Sequence, residues 1–144
     1  MEAKAPIVIV RKELRADSAG AGRRRGGLGQ TIVLRHVGTS EIVLSIIPDK
    51  LVCEPPGLAG GRPGELGEVL LNGQVITRFP PLRLQPGDEL ELRLPGGGGF
   101  GSPAEREPER VLHDVAMGYV SAAAAARDYG VNAHASSSIH SSRA

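Results

Sequence analysis

The twenty glycines of this 144-residue chain are not scattered. Fifteen of them fall in three islands of five, at residues 20–29, 57–67 and 96–101. Helix interiors and central strands do not tolerate that density, because glycine loses the most backbone entropy on folding and has no side chain to pack. The islands therefore read as three built loops, with the regular structure between them. The first island lies in residues 17–30 (DSAGAGRRRGGLGQ), where three consecutive arginines sit among the glycines and join a free backbone to a dense local charge.

The intervening segments read mainly as strands. Residues 7–14 (IVIVRKEL) form a β-branched run that turns polar. Residues 31–37 (TIVLRHV) and 41–47 (EIVLSII) are two strand-like runs joined by Gly38-Thr39-Ser40, which predicts a hairpin. Leu51 to Cys53 is expected to extend the sheet until Pro55-Pro56 stops it. Asn72-Gly73 lies between residues 68–71 and 74–77, a two-residue hairpin turn whose central positions both need positive φ. Another hairpin is expected around Pro86-Gly87-Asp88. Leu90, Leu92 and Leu94 then alternate with Glu89, Glu91 and Arg93, the pattern of a strand with one wet face.

Past the third island the character changes. Ser102-Pro103-Ala104-Glu105 has the residues of a capped helix start, and Pro108 moves the main helix to about residues 108–117. Val111, Leu112 and Val115 supply its apolar stripe, and Gly118 stands where a closing glycine belongs. Ser121 caps a second short helix, residues 122–129, closed by Gly130. Residues 132–144 are polar and serine-rich without period, which predicts a disordered tail. The fold class expected is mainly β (α+β), an antiparallel β-rich body followed by a short C-terminal helical pair.

Bulk composition excludes more than it suggests. Seventeen basic and 16 acidic side chains leave a net charge of +1, so nothing pulls the whole chain toward nucleic acid or an anionic membrane. The single cysteine, Cys53, cannot form an internal disulfide and fits a reducing compartment. No run approaches the roughly 18 apolar residues of a membrane span, and the location expected is cytoplasmic. None of the islands carries the Lys-Ser/Thr of a phosphate-binding loop, and Arg25 fills the third glycine's place in a dinucleotide fingerprint. The Arg-Gly-Gly unit occurs once, without the aromatic stacking partners of RNA-binding repeats. His36, His113, His134 and His140 show no metal-ligand spacing, and neither Ser18 nor Cys53 has an activating signature. No catalytic or metal-ligating residue is assigned in this chain.

Taken in order, "DSAGAGRRRGGLG", "PPGLAGGRPGELGEVLLNG" and "LQPGDELELRLPGGGGFGSPAEREPERVLHDVAMGYVSAAAAARDYGV" resemble the C-terminal part of the hydantoinase B/oxoprolinase family. That family includes the B subunit of N-methylhydantoinase-type enzymes, half of 5-oxoprolinase and the α subunit of acetone carboxylase. The likeness runs over residues 6–131, so residues 1–131 are expected to be the C-terminal portion of such a domain. It carries the family's arginine and double-glycine pattern onto Arg23, Arg25, Gly26 and Gly27. The glycine-rich turn maps onto Gly96, Gly97, Gly98, Gly99, Phe100 and Gly101. Ala19 stands where the family usually has a second glycine, Arg24 where a bulky residue is common, and the residues after Val131 do not match.

The resemblance implies ATP-dependent opening of cyclic amides such as hydantoins and 5-oxoproline, or carboxylation, shared between two subunits. An actin-like A-type subunit binds ATP and phosphorylates the substrate; the B-type subunit completes the reaction. The family's B subunit is several times longer, so ATP, a divalent metal and the catalytic groups are expected outside this stretch. The implied partner is the A-type subunit or the N-terminal portion that precedes the stretch. Two roles are open to Arg23 and Arg25: pairing with carboxylates or phosphorylated intermediates, or holding neighbouring loops through backbone carbonyls. Gly96, Gly97, Gly98, Gly99 and Gly101 are expected to be structural, with positive φ at several positions of residues 97–99.

Overall fold

The computed structural model describes residues 5–47 and 49–133. In chain order its elements are β1 (Ile7–Leu14), β2 (Gln30–His36), β3 (Ile42–Leu44), α1 (Asp49–Val52), β4 (Glu68–Leu71), β5 (Gln74–Val75), β6 (Leu82–Leu84) and β7 (Glu89–Arg93). A single 3-10 turn (Pro103–Glu105), α2 (Pro108–Ala116) and α3 (Ala122–Tyr129) follow. The chain is thus an antiparallel β body with two short helices toward its C-terminal end, as its patterning predicts. The tail expected over residues 132–144 lies, from residue 134, outside the described residues.

Five strands form one antiparallel sheet in the order β1-β2-β7-β4-β5, and β3 pairs with β6 in a second, two-stranded sheet. One face of the large sheet is apolar because Leu90 and Leu92 of β7 lie beside Leu34 and Ile32 of β2 and Leu71 and Val69 of β4. Leu82 and Leu84 of β6 and Ile42 and Leu44 of β3 close over it. Leu90 and Leu84 are completely or almost completely removed from solvent, each burial being worth about 1.5–3 kcal/mol. The opposite face is mixed, with Thr31, Val33 and Leu70 buried beside a charge ladder. Arg93 bonds Glu91 and Glu68, each at 2.8 Å, and Arg11 of β1 reaches Glu91 at 3.9 Å.

The turn at Asn72-Gly73 forms as its sequence requires, with φ of 49° and 81°. The other two expected hairpins do not form. β2 is flanked by β1 and β7 and has no free edge, so β3 crosses to the second layer and pairs with β6. For the same reason β7, held between β2 and β4, cannot accept β6. The Pro86-Gly87-Asp88 turn instead carries the chain from one sheet to the other. Its geometry rests on Asp88, whose carboxylate accepts hydrogen bonds from the Asn72 amide (2.9 Å) and the Gln85 N–H (2.7 Å). Leu51 to Cys53 does not extend a sheet: Asp49–Val52 is a one-turn helix that delivers Leu51 to the core and leaves Val52 and Cys53 exposed. The helix start expected at Ser102 is only the 3-10 turn, without a side-chain cap. Ser121 does cap α3, accepting from Ala124 N at 3.1 Å, and Gly130 closes it at φ 68°.

Strand register has one consequence for the rest of the molecule. Leu14 pairs with Gln30, Thr31 with Arg93, and Glu68 with Arg93. The ends of β1 and β7 and the starts of β2 and β4 therefore lie side by side. These are the points at which the three glycine islands leave or enter the sheet, so the sheet gathers all three at one end.

The Asp88 turn gives a pH prediction. Hydrogen bonds from Asn72 and then Gln85 hold the Asp88 carboxyl below its ordinary range. A depressed folded-state value contributes stability that is present above the ordinary carboxylate range and lost as pH falls through the lowered value. Asp88→Ala is expected to melt earlier than the parent at neutral pH. The gap should close as the pH drops below the ordinary carboxylate range. Thermal melts across an acid series check this; a gap independent of pH would refute it.

Candidate functional site

At that end of the sheet the three islands lie against one another through backbone. Gly20 N donates to Gly97 O (2.8 Å) and Gly97 N to Gly27 O (2.8 Å), joining the first island to the third. Arg24 and Phe100 exchange two hydrogen bonds of 2.9 Å. Leu58 N donates to Gly99 O (2.9 Å) and Gly101 N to Leu58 O (3.0 Å), joining the second to the third. Arg62 N donates to Ala21 O (2.7 Å) and Glu65 N to Ser18 O (2.9 Å), joining the first to the second. Every pair of islands is bonded. Hydrogen bonding of this kind, outside any regular sheet, satisfies backbone groups that burial would otherwise penalise.

The reason for glycine here is space. A Cβ on Gly26 would collide with the carbonyl of Gly97, and one on Gly98 with the carbonyl of Pro56. Residues 97–99 were expected to need positive φ, and they do not: within the third island only Gly101, at 74°, adopts it. Four of the five glycines outside the islands differ in kind. Gly73, Gly87, Gly118 and Gly130 have φ between 68° and 90°, and a Cβ on any of them would meet nothing within 4 Å. These four glycines serve conformation, whereas island glycines such as Gly26 and Gly98 serve contact.

Side chains fasten the lattice to the helical pair. Asp114 of α2, with its side chain 6% exposed, accepts from Arg25 Nε (3.1 Å) and Nη2 (3.3 Å) and from Arg106 Nη2 (2.7 Å). Arg25 Nη1 also donates to Gly26 O at 2.8 Å, and Arg106 Nη1 to Arg23 O at 3.2 Å. Each guanidinium lies near an aromatic ring, Arg25 5.6 Å from the centre of Tyr119 and Arg106 6.0 Å from that of Tyr129. Burial pushes the Tyr129 phenol above its ordinary range, against the pull of the Arg106 charge. A second fastening runs through Asp17, held at φ 58°, whose carboxylate accepts from Ser121 N at 2.7 Å. Ser18, almost fully buried, donates to Arg15 O (2.5 Å) and accepts from Gly29 N (2.8 Å), which pins the first island to the sheet. An open cleft of about 370 Å³ beside Asp114 is lined by Arg106, Glu109, Arg110 and His113.

The candidate residues are thus distributed between interior and surface. Arg25 and Gly26 are built into the lattice. Arg23 is exposed and reaches Glu105 only at 3.7 Å, Arg24 projects outward, and Gly27 has open space where a Cβ would go. His36 is buried, with neither ring nitrogen hydrogen-bonded among the described residues. No set of three or more His, Cys, Asp or Glu able to hold a metal occurs among the described residues. No helix described is long and apolar enough to cross a membrane. Sequence reasoning missed Arg106 and Asp114, although Asp114 had a signal. It lies three residues after Val111 and one before Val115, on the apolar stripe of α2, where a carboxylate must find a cation.

Two stability predictions follow from this geometry. Gly98→Ala should cost about 3 kcal/mol, the upper end for overpacking, while Gly27→Ala and Arg24→Ala should each stay within about 0.5 kcal/mol. Urea unfolding decides, and equal losses at Gly98 and Gly27 would defeat the contact argument. Asp114→Ala leaves two partly buried arginines unpaired and should cost about 3–5 kcal/mol. Replacing Arg25 and Arg106 by Met together with Asp114→Leu should recover most of that loss, because an apolar cluster needs no counter-charge.

Known proteins resemble this chain in sequence and in fold. Residues 1–103 match the family model described as hydantoinase B/oxoprolinase. An uncharacterized protein of Methanocaldococcus jannaschii is 42% identical over 135 residues, covering 91% of this chain and 24% of that protein. Caprolactamase subunit beta of Pseudomonas jessenii is 34% identical over 142 residues, covering 91% of this chain and 24% of its own length. The crystal structure of the ATP-dependent caprolactamase from that organism superposes on 90% of this chain and 24% of the solved chain, with a TM-score of 0.73 and 29% identity. The chain spans about a quarter of the length of these relatives. By sequence and by fold it belongs to the hydantoinase B/oxoprolinase family.

Proposed function

We propose that this chain forms the C-terminal structural portion of a hydantoinase B/oxoprolinase-type subunit that takes part in ATP-dependent hydrolysis of cyclic amides such as hydantoins or 5-oxoproline. The observation that carries this reading is the likeness of 90% of the chain to an ATP-dependent caprolactamase, with a TM-score of 0.73. Residues 1–131 are the portion concerned. The role assigned to them is to hold the glycine lattice rigid at one wall of the assembled subunit. Arg25 and Arg106 serve that role through Asp114. Of Arg23 and Arg25, Arg23, exposed and only loosely paired with Glu105, is the one available to a substrate carboxylate or a phosphorylated intermediate.

ATP and a divalent metal belong, in this reading, to the complete enzyme. The described residues do not fit either group: they bring together no metal-donor set, and no lysine follows the island glycines toward a phosphate. No reaction step is assigned to this chain's own side chains. Its partner is an actin-like A-type subunit or the N-terminal portion of a B-type subunit, and its compartment the cytoplasm. A second reading, a non-catalytic interaction module of the same assembly, is favoured by the exposed apolar residues of β1, among them Val8, Ile9 and Val10.

The purified chain supplied with ATP and magnesium or manganese is expected to leave hydantoin and 5-oxoproline unchanged. The nucleotide sequence upstream of Met1 is expected to encode the remaining portion of a B-type subunit. Turnover by the chain alone that disappears in Arg25→Ala would overturn the structural role proposed for the lattice.

A further inference from the structure

We infer that the outer edge of β1 is the surface on which the remaining portion of a family subunit adds a strand, and that residues 7–10 form the contact. The inference rests on the reading above, that this chain is one portion of a B-type subunit. β1 is the outermost strand of the five-stranded sheet and, at eight residues, the longest described. Val8, Ile9 and Val10 are 49%, 60% and 46% exposed, three adjacent β-branched residues on a strand with an unpaired side.

Soluble sheets blunt their edges with short strands, charges or bulges. The opposite edge obeys that rule, since β5 has two residues. β1 obeys it over only half its length. Its register shifts between Ile9 and Arg11, and Arg11, Lys12 and Glu13 follow the shift. Residues 7–9 carry no charge and precede the shift, which falls at Val10. The Ile7 N–H is bonded to Ala5 O, and the other outward backbone groups of these residues are offered to another strand.

The occupant is argued from length and from charge. Relatives that contain this domain have about four times its length, as their 24% coverage shows. About three quarters of each of those chains lies outside the stretch matched here and is available to cover an edge left open in it. A second copy of β1 is a poor fit. Antiparallel pairing of two copies over all eight residues sets Val10 against Arg11, Ile9 against Lys12 and Val8 against Glu13. Pairing over the apolar half alone gives four residues and runs into Pro6, which cannot donate to a ladder.

The test is a chimera of caprolactamase subunit beta in which the matching quarter is replaced by this chain, compared with this chain alone by amide hydrogen exchange. The amides of residues 7–10 are expected to exchange at least about ten-fold more slowly in the chimera. Ile9→Glu should be neutral in the isolated chain, where Ile9 is exposed, and should abolish that protection in the chimera. A folded chimera whose lattice amides are protected while residues 7–10 remain fast would overturn the edge assignment and leave the functional reading standing. A chimera whose lattice amides are unprotected would overturn both. Self-association of the isolated chain that Ile9→Glu removes would assign the edge to a second copy and overturn the inference.

Discussion

Backbone lying directly against backbone, with no side chain between, is the contact on which the rest of this structure depends. Three glycine islands, remote in sequence, bond to one another pair by pair at one end of a sheet. The approach is too close for a Cβ at positions such as Gly26 and Gly98. Such packing buries little apolar surface, so it is stabilised mainly by satisfied hydrogen bonds and dispersion between close-set atoms. It also means that neither half of the molecule stands independently of it. The sheet delivers the islands side by side, and the helices are attached through them.

The attachment is electrostatic where the lattice meets the helices. Asp114 is placed by α2 on the same face as Val111, which packs with Val120, Ala124 and Ala125 between the two helices. The small residues of α3 let the helices approach, and the carboxylate on that face then points to Arg25 and Arg106. A single carboxylate between two arginine forks fixes the relative position of loop and helix more narrowly than apolar packing could, since bidentate geometry is directional. The run of three arginines is therefore not one feature. Its members have three environments: Arg25 bonded inside, Arg24 projecting outward, Arg23 at the rim beside Glu105.

Family membership gives these contacts a setting. A stretch similar to this chain occurs in relatives about four times longer. Ser18 and Asp114, both well buried, hold loops, and Val8, Ile9 and Val10 form a run of exposed apolar residues on the outermost strand.

Much was legible from residues alone where the governing interaction is local. The β1 and β7 runs, the Asn72-Gly73 turn, the Ser121 cap and the closing Gly130 all depend on neighbours within a few positions. Their chemistry is written in sequence order. The order of the three islands likewise carried the family resemblance. Pairing was another matter. Whether residues 31–37 form a hairpin with 41–47 depends on which strands already fill both edges of β2, and β1 and β7 come from far along the chain. The Gly98 requirement could not be read as contact rather than conformation, because the colliding atom belongs to Pro56, forty-two residues away. Arg25 and Asp114, eighty-nine residues apart, meet only once the sheet has gathered the loops. Sequence alone determined the local elements and the need for close turns; tertiary structure decided which backbones those glycines admit, because excluded volume between distant segments exists only after they have been brought together.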